Sequence, residues 1–305
     1  MKIAIQTAGA EGRLGVDGAY KLFKECGFDG VDVNLDGLFP YGDIVARKRP
    51  PLFADRSDEE FKKALDPWKN AAEKYGIDNF QAHAPFPSCV YNDSEFNEFM
   101  IGVLIKTVRA ARYIGCRRLV VHPFFHGYDR KLTPAQEWDL NIKSYSRLIE
   151  AAAENDVMIC LENMFSANRG KITAACCSDI STACEYVDEL NRIAGERRFA
   201  FCLDTGHLLL LGLDVYDVMI KLGSRIEAFH VHDNDGHNDL HVAPYMGILD
   251  WDRFIKGLRD IGFDSTMSFE TFNVWNVVDS ELCPQVIKLI ADTGRLFARR
   301  KDCVS

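Results

Sequence analysis

Residues 199–207 read Phe-Ala-Phe-Cys-Leu-Asp-Thr-Gly-His. An unbroken apolar run ends abruptly in Asp204. Such a run, with no polar alternation, is the pattern of a strand buried on both faces in a parallel sheet. The same pattern recurs at Lys2–Thr7, Gly30–Asn34, Asn79–His83, Arg118–His122, Val157–Glu162, Ile226–Val231 and Thr266–Glu270. Stretches with helical periodicity separate these runs: Val16–Cys26, Glu59–Tyr75, Phe96–Ile114, Pro134–Glu154, Ile180–Ile193, Val215–Leu222, Trp251–Ile261 and Leu282–Arg300. Some carry start signals. Ser57 and Glu60 fit a capping box, and Thr133-Pro134 fits an N-cap followed by proline in the first turn.

Strands alternating with helices predict a parallel α/β fold. A doubly wound open sheet would place a glycine-rich phosphate turn after the first strand. Here that turn reads Ala8-Gly9-Ala10-Glu11-Gly12-Arg13, with the wrong spacing. The residues that close the runs decide between the two folds. They are Gln6, Asp32 or Asn34, His83, His122, Glu162, Asp204, His230 and Glu270. In a (β/α)8 barrel such ends converge on one pocket, whereas in an open sheet they lie along a line. The expectation is a single TIM barrel over residues 1–305, with active-site loops after strand two (Leu35–Asp55), strand five (Asn163–Ser178) and strand seven (Asp233–Leu249).

The chain has 305 residues, and a barrel needs about 250, so no second domain is required. Hydrophobic residues make up 47% and charged residues 27%, an ordinary globular balance. No apolar run approaches the roughly 18 residues of a membrane span. The first residues lack the apolar core of a secretory signal, so a cytoplasmic location is expected. The net charge is −9, from 36 basic and 45 acidic residues. Nucleic-acid binders are usually basic, so no nucleic-acid partner is expected. The cysteines form no CxxC pair, and those in apolar runs are expected as buried thiols.

A carboxylate at a strand end commonly caps the next helix, and a lone histidine is commonly structural. The joint occurrence matters more. Several buried carboxylates and imidazoles on neighbouring strands would repel one another and lose their hydration. A divalent cation held by Glu162, Asp204, His230 and Glu270 removes that cost. This oxygen-rich set suits one Mn2+, Mg2+ or Co2+, with Zn2+ also compatible. Manganese is the favoured ion.

The ordered motifs resemble those of the xylose isomerase-like TIM barrel superfamily of sugar phosphate isomerases and epimerases, distant kin of AP endonuclease IV. They are Cys26-Gly27-Phe28-Asp29-Gly30-Val31-Asp32, His83-Ala84-Pro85, Val121-His122-Pro123, Leu161-Glu162-Asn163, Asp204-Thr205-Gly206-His207, His230-Val231-His232-Asp233, Asp239-Leu240-His241 and Ser268-Phe269-Glu270. The resemblance implies the metal set named above. It also implies that Glu162 and Glu270 act as the acid–base pair, moving a proton beside a carbonyl through an enediolate. His83, His122, His207, Asp239, His241 and Trp275 are the expected substrate contacts. One departure stands out. Several sugar epimerases carry an arginine shortly after the strand-seven histidine, where this chain reads Asp233-Asn234-Asp235-Gly236-His237-Asn238-Asp239.

Two alternatives share the barrel. A lyase or dehydratase acting on a keto-sugar, an inosose or a 3-keto-(C-)glycoside would use the same first proton transfer. Tyr41, Phe86, Phe124, Phe125, Phe165, Tyr245, Phe272 and Trp275 all follow strand ends and are candidates to line a deeper pocket for such a glycoside. An endonuclease IV-like trinuclear zinc phosphodiesterase would use the extra histidines. The expected partner is a small-molecule sugar or glycoside, with no membrane. A homo-oligomer is expected, with a small second subunit in the case of a C-glycoside lyase.

Overall fold

A computed structural model describes residues 1–126 and 131–303. Eight parallel strands form the barrel: β1 (Lys2–Gln6), β2 (Gly30–Asn34), β3 (Asp78–His83), β4 (Arg118–Val120), β5 (Met158–Glu162), β6 (Phe199–Asp204), β7 (Ile226–His230) and β8 (Thr266–Phe269). From β1 to β7 the strands pair in sequence order, and β1 also pairs with β8. The remaining seam lies between β7 and β8. There a parallel bridge joins Val231 to Phe269, with Val231 N–H donating to Ser268 O at 2.9 Å and Glu270 N–H to Val231 O at 3.1 Å. The fold is a single-domain (β/α)8 barrel.

Two apolar layers hold it. The larger lies between the strands and the surrounding helices. The smaller fills the barrel itself with Val120, Cys160, Ala200, Cys202 and Ala228. Side chains alternate along a strand, so an inward Cys160 puts Glu162 inward, and Cys202 does the same for Asp204. The plug is built from small residues, which seals the barrel floor and leaves room for polar groups at the strand ends.

The helices start where their caps place them. Ser57 Oγ accepts from Glu60 N–H at 3.3 Å while Ser57 N–H donates to Glu60 Oε2 at 3.1 Å. Thr133 and Gln136 repeat the box, with Pro134 in the first turn. One expected helix is divided. Pro134–Glu154 becomes Pro134–Ser146 and Ile149–Asn155. Arg147 and Leu148 bond three residues back, to Ser144 O and Tyr145 O, and this tighter turn interrupts the α-helical register.

The long loops are partly ordered. The segment after β2 carries short helices at Tyr41–Val45 and Pro51–Ala54. The segment after β5 folds into a hairpin of Phe165–Asn168 against Lys171–Ala174. Every cysteine is a free thiol, and only Cys303 is exposed. Among the described residues, no helix is long and apolar enough to cross a membrane.

Candidate active site

Glu162, Asp204 and His230 end β5, β6 and β7, and Glu270 follows β8 by one residue. Their ligand atoms all lie within 4.8 Å of one another, and all four residues are buried. His230 Nδ1 lies 2.8 Å from Glu162 Oε1 and 3.5 Å from Glu270 Oε2. Its Nε2 faces Asp32 Oδ2 at 3.3 Å. Both His230 Nε2 and Glu162 Oε2 are buried without a hydrogen bond. The unpaired Glu162 Oε2, among three buried carboxylates, fits a divalent cation, which would supply a partner and balance the charge.

Asp204 serves two purposes. It caps the short helix Thr205–Leu210, its Oδ1 accepting from His207 N–H at 2.7 Å. Its backbone is clamped by Asn163, whose amide donates to Asp204 O and accepts from Asp204 N–H, both at 2.9 Å. The cap and the candidate ligand are therefore the same carboxylate, fixed in position before any ion arrives.

The two glutamates sit in opposed environments. Burial alone would raise the Glu162 carboxyl, but His230, His122 and His83 outweigh it and hold the group well below its ordinary value. Glu270 is raised, chiefly by burial, with His230 and His241 opposing. Gln6 Nε2 donates to Glu270 Oε1. Asp204 is held down at about 2, with burial opposed by His207 and His232.

His232 is a further candidate ligand. Its Nε2 lies 3.1 Å from each oxygen of Asp204, and its ring stacks on His241 at 3.9 Å. With His241 and Glu270 it forms another group able to hold a metal. Its place depends on Gly206, where a Cβ atom would lie 1.9 Å from His232 Cε1. The signal was present in the sequence as His230-Val231-His232, since alternation turns both imidazoles to the same face. The neighbouring Asp233 has a structural task instead. Its carboxylate accepts from Leu249 N–H at 3.0 Å and Trp251 Nε1–H at 3.2 Å, closing the loop after β7.

The expected substrate contacts gather around this centre, with one exception. His122 Nε2 lies 3.1 Å from Glu162 Oε2 and 3.1 Å from His83 Nε2. His83, His122 and Glu162 make a third possible metal group. On the opposite side, Asp239 faces His241 at 3.0 Å and His207 at 3.8 Å. Burial opposes protonation of both histidines, yet Asp204 and Asp239 raise His207 to about 10, and Glu270 and Asp239 raise His241 to about 9. Burial lowers His122 to about 4. The exception is Trp275. It is buried in the short helix after β8, packs beneath Gly9, and is not in the cavity wall.

Above the centre opens a cavity of about 800 Å³. Its inner wall carries Glu162, His207, Asp239, His241 and Glu270. Its outer wall comes from the loops after β2, β3 and β4, including Tyr41, Phe86, Val90, Tyr91 and Phe125. The loops after β3 and β4 also build this cavity, whereas the sequence pointed to those after β2, β5 and β7. Of the aromatic candidates, Tyr41, Phe86, Phe125, Phe165 and Phe272 line the cavity. Phe124 instead packs on Tyr145, and Tyr245 on Trp251 and Phe297.

Comparison with known proteins agrees with this fold. A protein named probable endonuclease 4 from Metamycoplasma arthritidis (strain 158L3-1) is 29% identical over 229 residues, 71% of this chain and 78% of that protein. A D-tagatose 3-epimerase-like protein of known structure has a TM-score of 0.67 at 17% identity, covering 96% of this chain and 99% of the other. The IolI protein, solved with a bound zinc atom, also has a TM-score of 0.67 at 17% identity, covering 99% and 98%. At such identities the two structures speak for the fold alone. The family described as xylose isomerase-like TIM barrel matches residues 20–292, and the chain belongs to that family.

Proposed function

We propose that the protein is a divalent-metal-dependent sugar isomerase or epimerase that moves a proton at a carbon beside a carbonyl. The observation that carries this reading is the placement of Glu162 and Glu270. Both lie close to His230 Nδ1, at 2.8 and 3.5 Å, and their surroundings push their proton affinities apart. Paired groups separated in this way are the mark of an acid–base couple. Glu162, kept ionised by its three histidines, takes the proton. Glu270 returns one. Delivery to the opposite face gives epimerisation, and delivery to the neighbouring carbon gives isomerisation.

Glu162, Asp204 and Glu270, with His230 or His232, would hold the ion. A divalent cation bound there would supply Lewis-acid polarisation of the carbonyl. Manganese is our favoured ion, and the wealth of imidazoles also suits zinc. His207, held protonated by Asp204 and Asp239, engages Asn163 O through Nδ1 and would donate its Nε2–H to a sugar hydroxyl, while His241 spends both ring nitrogens on Asp239 and Glu270 O. The names of the D-tagatose 3-epimerase-like neighbour and of IolI with its zinc atom support this class of chemistry. A lyase would share the first proton transfer and differ in expelling a neighbouring substituent.

The test is incubation with Mn2+ and a panel of ketoses and keto-sugars in D2O. Deuterium is expected at a carbon beside the carbonyl, and it should vanish in Glu162→Gln and Glu270→Gln. No exchange with any member would sink the proposal. A second reading, a trinuclear zinc phosphodiesterase, draws on the separate groups His83–His122–Glu162 and His232–His241–Glu270 and on the endonuclease-named relative. Three tightly bound zinc ions per chain, with cleavage of abasic DNA, would establish it instead.

A further inference from the structure

We infer that the outer face of the last helix, Cys283–Asp302, docks antiparallel on the same face of a second copy of this chain. The inference is independent of the reaction proposed above.

A helix on the outside of a barrel is expected to turn polar side chains outward. The last helix breaks that rule. Leu289 and Leu296 are 52% and 37% exposed, and Leu282, just before the first turn, is 54% exposed. Seven residues, nearly two turns, separate each leucine from the next, so the three form one row along the surface. The helices Ala10–Cys26, Ile180–Ala194 and Val215–Leu222 each expose one large apolar side chain, as surfaces commonly do. A row of leucines at this spacing is instead how one helix packs on another. Val277, and Leu14 on the adjoining helix Ala10–Cys26, are exposed beside it and widen the patch towards the size a stable dimer buries. None of these side chains lines the cavity over the metal centre.

Charge identifies the partner. The last turns of the helix carry Arg295, Arg299, Arg300 and Lys301. Arg295 pairs with Asp29 at 2.6 Å, Arg300 with Asp252 at 2.7 Å and Lys301 with Asp264 at 3.4 Å. Among the described residues Arg299 has no ion pair, and neither has Glu281 at the opposite end. A twofold axis at Leu289 sets that leucine on its own copy and Leu282 on Leu296. Arg299 comes ten residues after Leu289 and Glu281 eight before it. At about 100° per residue both lie on the same flank of the row, at nearly equal distances from the axis. An antiparallel copy therefore brings each Arg299 to the other chain's Glu281. Lys288 and Asp292, paired within one helix, sit on that flank close to the axis and can exchange partners across it. A parallel copy would set Arg299 on Arg299.

The test is sedimentation equilibrium of the full chain over a range of micromolar concentrations, where a dimer is expected. Leu289→Glu puts two carboxylates together on the axis and should weaken association at least about a hundredfold, with an unchanged circular-dichroism spectrum. Arg299→Glu alone should weaken it about tenfold, and adding Glu281→Arg should restore the wild-type affinity, because each helix then offers the reversed pair. Should Leu289→Glu fail to fold, the charge exchange decides alone. A monomer at every concentration would overturn the inference, even if the row then proved to bind lipid vesicles or another protein. So would a dimer indifferent to Leu289→Glu, or a double variant no tighter than Arg299→Glu.

Discussion

His232 Nε2 is equidistant, at 3.1 Å, from the two carboxylate oxygens of Asp204. An imidazole nitrogen so placed is either the carboxylate's hydrogen-bond donor or its fellow ligand on a shared ion. His230 competes for the same task from one layer deeper, wedged between Glu162 and Asp32. We expect both to matter. His230→Ala and His232→Ala should each weaken Mn2+ binding by at least about tenfold, the scale for losing a ligand or its immediate support. Calorimetric titration of the two variants decides the matter. An unchanged affinity in His232→Ala would return the role to His230 alone.

Gly206 offers an independent handle on the same imidazole. A methyl group there would collide with His232 Cε1 at 1.9 Å, and the flanking Asp204 cap leaves the backbone little freedom to yield. Gly206→Ala is therefore expected to displace His232, lower metal affinity and cost about 1–3 kcal/mol by overpacking. The gap between ion-free and Mn2+-loaded melting temperatures should narrow. An unchanged gap would mean that the ring's position is of no consequence to the ion.

The strand ends were legible in the sequence because each buried strand stops at a polar residue, and alternation then fixes which side chains face inward. Phe199–Asp204 matches its expected bounds residue for residue. What lay beyond the sequence depended on distance between loops. Phe86, Phe124, Phe125 and Tyr245 look alike in the sequence as aromatics after strand ends, yet of these four Phe86 and Phe125 reach the cavity wall while Phe124 and Tyr245 pack elsewhere. Trp275 shows the converse. It follows a strand end in sequence, yet Gly9 leaves a hollow that the indole fills, so the ring turns into the wall. His232 went unassigned because two histidines share one phase, and periodicity gives a face without giving depth.

Removal of the ion tests the electrostatic account of the centre. Without it, Glu162, Asp204 and Glu270 rely on neighbouring histidines for positive charge. Chelation should lower the melting temperature by several degrees, and Mn2+ should restore it in a concentration-dependent way, worth about 2.7 kcal/mol at a hundredfold excess over Kd. Glu270→Gln should melt higher than the wild type when both are ion-free, since burial disfavours this carboxylate. With Mn2+ the order should reverse. A variant less stable than wild type in both states would contradict the assignment.

A pH effect away from the centre is expected from Glu11. This half-buried carboxyl accepts from Trp68 Nε1–H at 2.7 Å, and burial raises it from 4.5 to about 7. The folded state then binds a proton more tightly than the unfolded chain, so this group's contribution to stability falls as pH rises between those two values and stays low above about 7. Allowing for its partial exposure, the loss is on the order of 2 kcal/mol. Glu11→Gln keeps an acceptor for Trp68 and carries no charge. Denaturant unfolding of both proteins from pH 4 to pH 8 should therefore show the variant gaining on the wild type through that window and holding a constant lead above it. Parallel stability curves across the range would show that Glu11 ionises as freely in the folded protein as in the unfolded chain.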